Sequence, residues 1–315
     1  MINRNSKIYL AGHTGLVGSS VLRVLKQKGF KRIIFKKSKD LNLTDQLKVF
    51  SFLKRLKPDA IIICAAKVGG IKANNKYKSE FIYDNLSIQN NIIKGAHISG
   101  VENLIFLGSS CIYPKYSKQP IKEKYLLTGE LEPTNQYYAL AKIAGVKLCE
   151  SYNIQFGRNY KSLMPSNLFG PNDNYNLENS HFLPAVIKKI YLAKKNKKPL
   201  LFWGTGKAKR ELTYVDDLAE ACIFFLKKKT THNLINIGSG FEKTINQYIN
   251  LVSKKLDYKE KIKFNNQKFL DGTPRKILDC KIAKKYGWKS NWSLNKAINF
   301  TIKDFFKNKK KYLGM

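Results

Sequence analysis

"KIYLAGHTGLVGSSVLRVLKQKG", residues 7–29, runs from an apolar stretch through a glycine-rich turn into a segment whose apolar residues recur every three to four positions. The opening "KIYLAG" (7–12) predicts a buried strand, and "GLVGSSVLRVLKQKG" predicts an amphipathic helix closed by Gly29. Gly12, Gly15 and Gly18 stand between them in G-x-x-G-x-x-G spacing. A strand-to-helix turn without Cβ atoms lets backbone approach a diphosphate, and the helix N-terminus adds unpaired N–H groups and the positive end of its dipole. At a first β–α junction this pattern points to a bound dinucleotide.

The segments that follow repeat the alternation. "RIIF" (32–35) reads as a second strand, "TDQLKVFSFLKRLKP" as a helix opened by Thr44 and stopped by Pro58, and "DAIIICAA" (59–66) as a third strand. A helix over 79–99, strand "NLIFLGSS" (103–110), a helix over about 136–154 and strand "SLMPSNL" (162–168) continue it. Strands that are apolar throughout, separated by helices, imply a parallel sheet covered on both faces. The predicted fold class is therefore α/β, a Rossmann-like doubly wound parallel sheet. After Gly170 the texture turns polar in "PNDNYNLENSH". A basic helix from about Pro184, the run "PLLFWG" (199–204), a capped helix "YVDDLAEACIFFLKKK" (214–229) and the apolar strand "NLINIGSG" (233–240) follow. The expected division is a cofactor-binding domain of 1–169 plus 215–241 and a smaller α/β substrate-binding domain of 170–214 plus 242–315.

Composition narrows the classes. The 315 residues hold no apolar run near the roughly 20 that a bilayer span needs, and the N-terminus reads as a strand, not as a signal. Five scattered cysteines, odd in number and without CxxC spacing, suggest neither a zinc site nor a disulfide framework, so no metal and a reducing, cytoplasmic setting are expected. The 58 Lys and Arg against 22 Asp and Glu give a net charge of +36. The lysines are spread along the chain in short runs, which argues against a specific nucleic-acid site and for attraction to an anionic small substrate.

Two stretches carry chemistry. The second strand ends in "FKKSKD", with Lys36, Lys37 and Lys39 and no carboxylate until Asp40. Cations there suit a 2′-phosphate, whereas NAD sites place Asp or Glu, so NADP is favoured. In "YYALAK", Tyr138 precedes Lys142 by four positions, which puts phenol and ammonium on one helix face. A nearby ammonium favours phenolate and suits the tyrosine to exchange a proton with a carbonyl or hydroxyl oxygen. Tyr137 is a second tyrosine, but Tyr138 alone has a lysine four residues on.

The glycine turn, the serine at the end of the fourth strand and the Tyr/Lys pair, in that order, resemble the extended short-chain dehydrogenase/reductase superfamily. "AAKVGGI", "LGSSCIYP", "EPTNQYYALAKIAG", "LCESYN", "NSHFLPA", "GTGKAKRELTYVDDLA" and "DGTPRKILD" resemble the GDP-L-fucose synthase family within it. The resemblance implies an NADPH-dependent C3/C5 epimerisation and C4 reduction of a GDP-4-keto-6-deoxy sugar by a homodimer. It implies that Ser109 binds the C4 oxygen, Tyr138 protonates it, Lys142 holds the cofactor ribose, and Cys111 and His181 exchange the C3 and C5 protons. The cofactor is expected against His13, Thr14, Leu16 and Val17 of the glycine turn, and against Ser38, Leu41, Asn42 and Leu43 after the second strand. Leu107 and Gly108, the segment Pro165, Ser166, Asn167 and Leu168, and His181 complete that expectation. Lys189, Trp203, Arg210 and Asp279 are implied for the nucleotide and sugar, in keeping with cations that pair with phosphates and an indole that offers a flat apolar face. Thr14 and Ser38 stand where the family pattern implies basic residues, so cationic character there rests on the neighbouring lysines. Other readings are a 4-epimerase or 4,6-dehydratase on the same fold, and a non-catalytic NADP-binding protein. "SSCIYP" lacks the Thr-Asp-Glu type cluster of a dehydratase, and a pure binder has no use for the proton donor.

Overall fold

The computed structural model describes residues 2–266 and 273–314; of the "DGTPRKILD" segment, residues 271 and 272 lie outside them. The first half alternates as β1 (Lys7–Ala11), α1 (Leu16–Gln27), β2 (Arg32–Ile34), α2 (Gln46–Leu56) and β3 (Ala60–Ile63). It continues through α3 (Ile71–Lys76), α4 (Lys78–Ile98), β4 (Asn103–Leu107), α5 (Gln136–Phe156) and β5 (Asn159–Pro165). Together with β9 (Leu234–Ile237) these strands form a parallel six-stranded sheet in the order β2-β1-β3-β4-β5-β9. The chain leaves β1 toward one side and places β3 on the other, so the crevice beyond the carboxyl ends of β1 and β3 is the switch point where such sheets bind ligands.

Both faces of the sheet are covered, as its continuous apolar strands require. On one face Ile61, Ile63, Leu104 and Phe106 pack with Ile92, Ile93 and Val146 of α4 and α5. On the other, Ile8, Leu10, Ile62 and Ile105 pack with Val21 and Leu25 of α1 and with Leu218, Ile223 and Phe225 of α7 (Val215–Lys227). Arg23 of α1 pairs with Asp216 of α7, which also accepts from Ser20 Oγ at 2.6 Å.

A separate core gathers Leu183, Ile187 and Ile190 of α6 (Phe182–Lys195), Tyr248 and Ile249 of α8 (Ile245–Lys255), and Ile298 and Phe305 of α10 (Leu294–Lys307). Beside it β6 (Asn167–Phe169), β8 (Lys209–Tyr214), β10 (Glu242–Thr244) and β12 (Arg275–Lys276) form a second sheet, and β7 (Leu200–Phe202) pairs with β11 (Ile262–Phe264). Short helices α9 (Lys281–Lys285) and α11 (Lys309–Leu313) complete the order.

Several boundaries differ from the sequence reading. Helix α2 is capped by Asp45, whose carboxylate accepts the Lys48 N–H at 3.1 Å, and not by Thr44. Helix α7 opens at Tyr214 without a side-chain cap. The run 103–110 stops being strand at Leu107, because Ser109 Oγ and Ser109 O accept the N–H groups of Cys111 and Ile112 and wind Ser110–Ile112 into a 3-10 turn. The run 162–168 is two strands in two sheets: at Ser166 the backbone N–H still donates to Ile237, while Ser166 Oγ meets Thr213 Oγ1 of β8 at 2.6 Å and the chain changes partners.

One residue ties distant parts of this framework. Asn172, at φ 64°, donates through Nδ2 to Thr14 O at 2.8 Å and lies 3.3 Å from Ser19 Oγ. Its N–H donates to Asp304 of α10 at 3.0 Å, and its Oδ1 accepts from Lys311.

Candidate active site

Because the six strands are parallel, the turn after β1 and the segments after β3, β4 and β5 emerge at one edge of the sheet. The turn after β1 is shaped by two glycines. Gly12 lies at φ +84°, with backbone of Cys64 and Ala65 where a Cβ would be, and a Cβ on Gly18 would strike the Gly12 carbonyl. Gly15 differs: a Cβ there would meet only Gly12 O at 3.9 Å, so it faces open space. Gly15 is also the N-cap of α1 and provides no side-chain cap, leaving the helix N-terminus to an outside acceptor. His13 is 9% exposed, stacks on Phe35 at 4.4 Å between centroids, and keeps Nδ1 without a partner. Burial lowers the His13 pKa, and Lys37 lowers it further. An open glycine cradle, a free helix end, an orphaned imidazole nitrogen and the exposed cations Lys36, Lys37 and Lys39 fit a phosphorylated dinucleotide. Ser38, Asp40 and Asn42 are exposed beside them, while Leu41 is buried.

After β4, the structure brings Ser109, Cys111, Tyr138 and Lys142 together. Ser109 Oγ accepts the Cys111 N–H at 3.3 Å, and the Ser109 side chain bears on the Tyr138 hydroxyl. Tyr138 and Lys142 share α5, with the ammonium 5.8 Å from the Tyr138 ring centroid. Lys142, 3% exposed, donates to Leu107 O at 2.9 Å and lies 4.7 Å from the Phe106 ring centroid. Its pKa is lowered to about 8 by desolvation. The sequence reading has the ammonium favouring phenolate, yet in the structure burial dominates and raises the Tyr138 pKa, helped by Cys111 and opposed by the Ser109 hydrogen bond. The proton therefore stays on Tyr138 at neutral pH.

Cys111 is half-buried, unlike Ser110 and Ile112 on either side. Asn135 Nδ2, at the N-cap of α5, donates to its sulfur at 3.5 Å, and Lys276 Nζ of β12 donates at 3.8 Å. The sequence reading picked neither: Asn135 is one of many polar loop residues, and Lys276 one of many lysines. His181 is the N-cap of α6; the loop before it is held where Asn179 O accepts the Gly70 N–H at 3.0 Å. His181 is solvent-accessible yet surrounded by protein, and desolvation lowers its pKa.

The remaining predicted residues fall in two settings. Lys189 Nζ of α6 lies over the Trp203 ring at 5.2 Å and the Phe202 ring at 5.4 Å, and Trp203 is 56% exposed. Arg210 lies on β8, paired in register with Lys276 of β12. Asp279 is 7% exposed; its carboxylate accepts the Lys281 N–H at 2.9 Å and its backbone is bonded to Ile121 and Asn236. Among the described residues no group of three or more His, Cys, Asp or Glu is arranged to hold a metal.

The model of the NAD dependent epimerase/dehydratase family matches residues 8–238. The chain belongs to this family. Epimerase/dehydratase relatives resemble it along almost its whole length. It is 47% identical to GDP-L-fucose synthase 1 of Arabidopsis thaliana, covering 98% of this chain and 95% of that protein. It is 43% identical to the GDP-L-fucose synthase of Escherichia coli, covering 98% and 99%. The crystal structure of a GDP-L-fucose synthetase from Naegleria fowleri bound to NADP superposes with a TM-score of 0.89 at 27% identity, covering 98% of this chain and 97% of that one. The epimerase/dehydratase fold accounts for the six-stranded sheet and the glycine cradle, and among the described residues no helix is long and apolar enough to cross a membrane.

Proposed function

We propose that this protein is an NADPH-dependent epimerase-reductase that converts GDP-4-keto-6-deoxy-D-mannose to GDP-L-fucose. The observation that carries the reading is the gathering of Ser109, Cys111 and Tyr138: Ser109 Oγ accepts the Cys111 N–H, and both Ser109 and Cys111 act on the Tyr138 hydroxyl, so an oxygen ligand, a thiol and a proton donor share one place. The names and near-complete coverage of the relatives support the substrate. When bound, NADPH supplies a hydride. The glycine cradle, Lys142 and the lysines after β2 would hold it, with Leu107, Gly108 and residues 165–168 along the same sheet edge.

The residues divide the work. A C4 ketone acidifies the protons on C3 and C5. Cys111 removes a proton, with the electron pair passing to the C4 oxygen, where the Ser109 hydroxyl stabilises the enolate. His181 returns a proton to the opposite face of carbon. After inversion at both carbons, Tyr138 protonates the C4 oxygen as it is reduced. Lys189, Trp203 and Arg210 receive the nucleotide diphosphate and the sugar, with Asp279 nearer the interior. The division of the chain into a cofactor part (1–169 and 215–241) and a substrate part (170–214 and 242–315) belongs to this proposal. So does a cytoplasmic homodimer through α4 and α5, where Tyr83, Leu140 and Ile154 are exposed and Asn90, Lys94, Ala144 and Ser151 line a groove of about 590 Å³.

The test is incubation with GDP-4-keto-6-deoxy-D-mannose and NADPH, with NMR of the sugar. GDP-L-fucose is the expected product. A C4-reduced sugar with C3 and C5 unchanged would overturn the epimerase half, and no NADPH oxidation would overturn the whole.

A further inference from the structure

We infer that Lys276 is a positioning residue for Cys111, holding its sulfur in the anionic form that can remove a proton from carbon. The inference rests on the epimerase reading of the site. Lys276 reaches the thiol from β12, 165 positions along the chain, and its ammonium Nζ lies 3.8 Å from Sγ. An ammonium has three donors and no acceptor, so it cannot receive a hydrogen bond from a neutral S–H. It has a strong interaction with that sulfur only when the sulfur is the acceptor, and a charge-assisted hydrogen bond to an anion is about twice as strong as a neutral one. Asn135 Nδ2 at 3.5 Å adds a second donor from another segment of the chain. Two donors converging on one sulfur suit a thiolate, which is the nucleophilic and basic form of cysteine.

The placement of Lys276 is fixed by backbone. Arg275 and Lys276 pair in parallel register with Lys209 and Arg210 of β8, and Arg275 is itself anchored to Glu242 of β10 through Nε and a 2.7 Å ion pair. The strand therefore presents Lys276 to the 3-10 turn that carries Cys111 as a consequence of how the second sheet is built. In the proton-removal step the C–H bond breaks, its electron pair moves into the enolate on the C4 oxygen, and the S–H bond forms. Lys276 transfers no proton; it acts through the sulfur.

The test reads Cys111 without substrate. The full chain is treated with iodoacetamide at about pH 7, and adducts at Cys111 are timed by peptide mass spectrometry in the unmodified protein, Lys276→Met and Lys276→Arg. Cys149, Cys222 and Cys280 are buried, and each peptide is scored separately. Lys276→Met should alkylate Cys111 about 10-fold more slowly, with Lys276→Arg within about 3-fold of the unmodified rate, because loss of a nearby cation lowers the thiolate fraction. NADPH binding should be equal in all three, which checks folding. With substrate at saturation, deuterium exchange at C3 and C5 in Lys276→Met should fall by a similar factor. Unchanged alkylation in Lys276→Met, with only a raised KM for substrate, would overturn the inference and make Lys276 a phosphate ligand alone. If the unmodified protein exchanges no C3 or C5 deuterium while alkylation still depends on Lys276, the positioning inference stands and the epimerase reading fails.

Discussion

Tyr138 and Lys142 lie one turn apart on a single helix, and Lys142 is only 3% exposed. Cys111, which acts on Tyr138 from the turn after β4, is half-buried, and its polar neighbours come from 24 and 165 positions away. The first centre is built by helix geometry and held by desolvation, which pushes the Lys142 pKa down and the Tyr138 pKa up. The second is built by meeting of separate segments, a 3-10 turn, a helix cap and a strand of another sheet. A site that runs two reactions on one ring can thus tune one from within a helix and the other by docking one sheet against another.

If the two centres are separable, Tyr138→Phe should lose roughly 100- to 10,000-fold in reductase turnover, the usual range for one positioned acid. The same variant should keep NADPH binding and C3/C5 deuterium exchange, read by NMR in D2O. Exchange that falls along with reduction would break the separation. The reverse experiment is Cys111→Ser, which should lower C3/C5 exchange by about 100-fold because a serine hydroxyl is a far weaker base than a thiolate. Cofactor binding in that variant should be intact. Normal exchange would return Cys111 to a packing role.

A lysine whose folded pKa is about 8 against 10.5 in the unfolded chain carries a desolvation penalty. The penalty is present in full below pH 8, where the folded protein must bury the ammonium. It fades as pH rises toward 10.5, because the unfolded chain then binds the extra proton and stability climbs with pH. Lys142→Met should therefore raise stability at pH 7 by up to about 3 kcal/mol and remove part of the rise between pH 8 and 10.5, measured by denaturant unfolding. Equal pH dependence in both proteins would show that Lys142 does not carry that penalty. The smallest effect is expected farther out, at the exposed lysines after β2. Replacing Lys36, Lys37 and Lys39 with Gln should narrow an NADPH-over-NADH preference by about 10-fold, since exposed cations contribute little each. Equal affinity for the two cofactors in the unmodified protein would remove the basis of that preference.

The same contrast explains what could be read from the sequence. The sheet and the glycine turn were legible because apolar runs and Gly12, Gly15 and Gly18 state their geometry locally. The Tyr138–Lys142 pair was legible because an α-helix fixes which residues share a face. Cys111 stood out only through resemblance, and Asn135 and Lys276 did not stand out at all, since nothing along the chain encodes a contact across 165 positions. The strand ends at Leu107 and Pro165 differ from the sequence reading for a related reason: each run ends where a serine, Ser109 or Ser166, makes a side-chain hydrogen bond that residue type alone does not announce.

Asn172 has a consequence in hydrogen exchange. It joins Thr14 and Ser19 at the cofactor turn to Asp304 and Lys311. Local opening that releases α10 must also release the support of Thr14, so the two regions belong to one cooperative unit although 158 positions separate Asn172 from Thr14. Whatever steadies the glycine turn slows the opening of α10, and amide protons on that helix become a gauge of how firmly the cofactor turn is held.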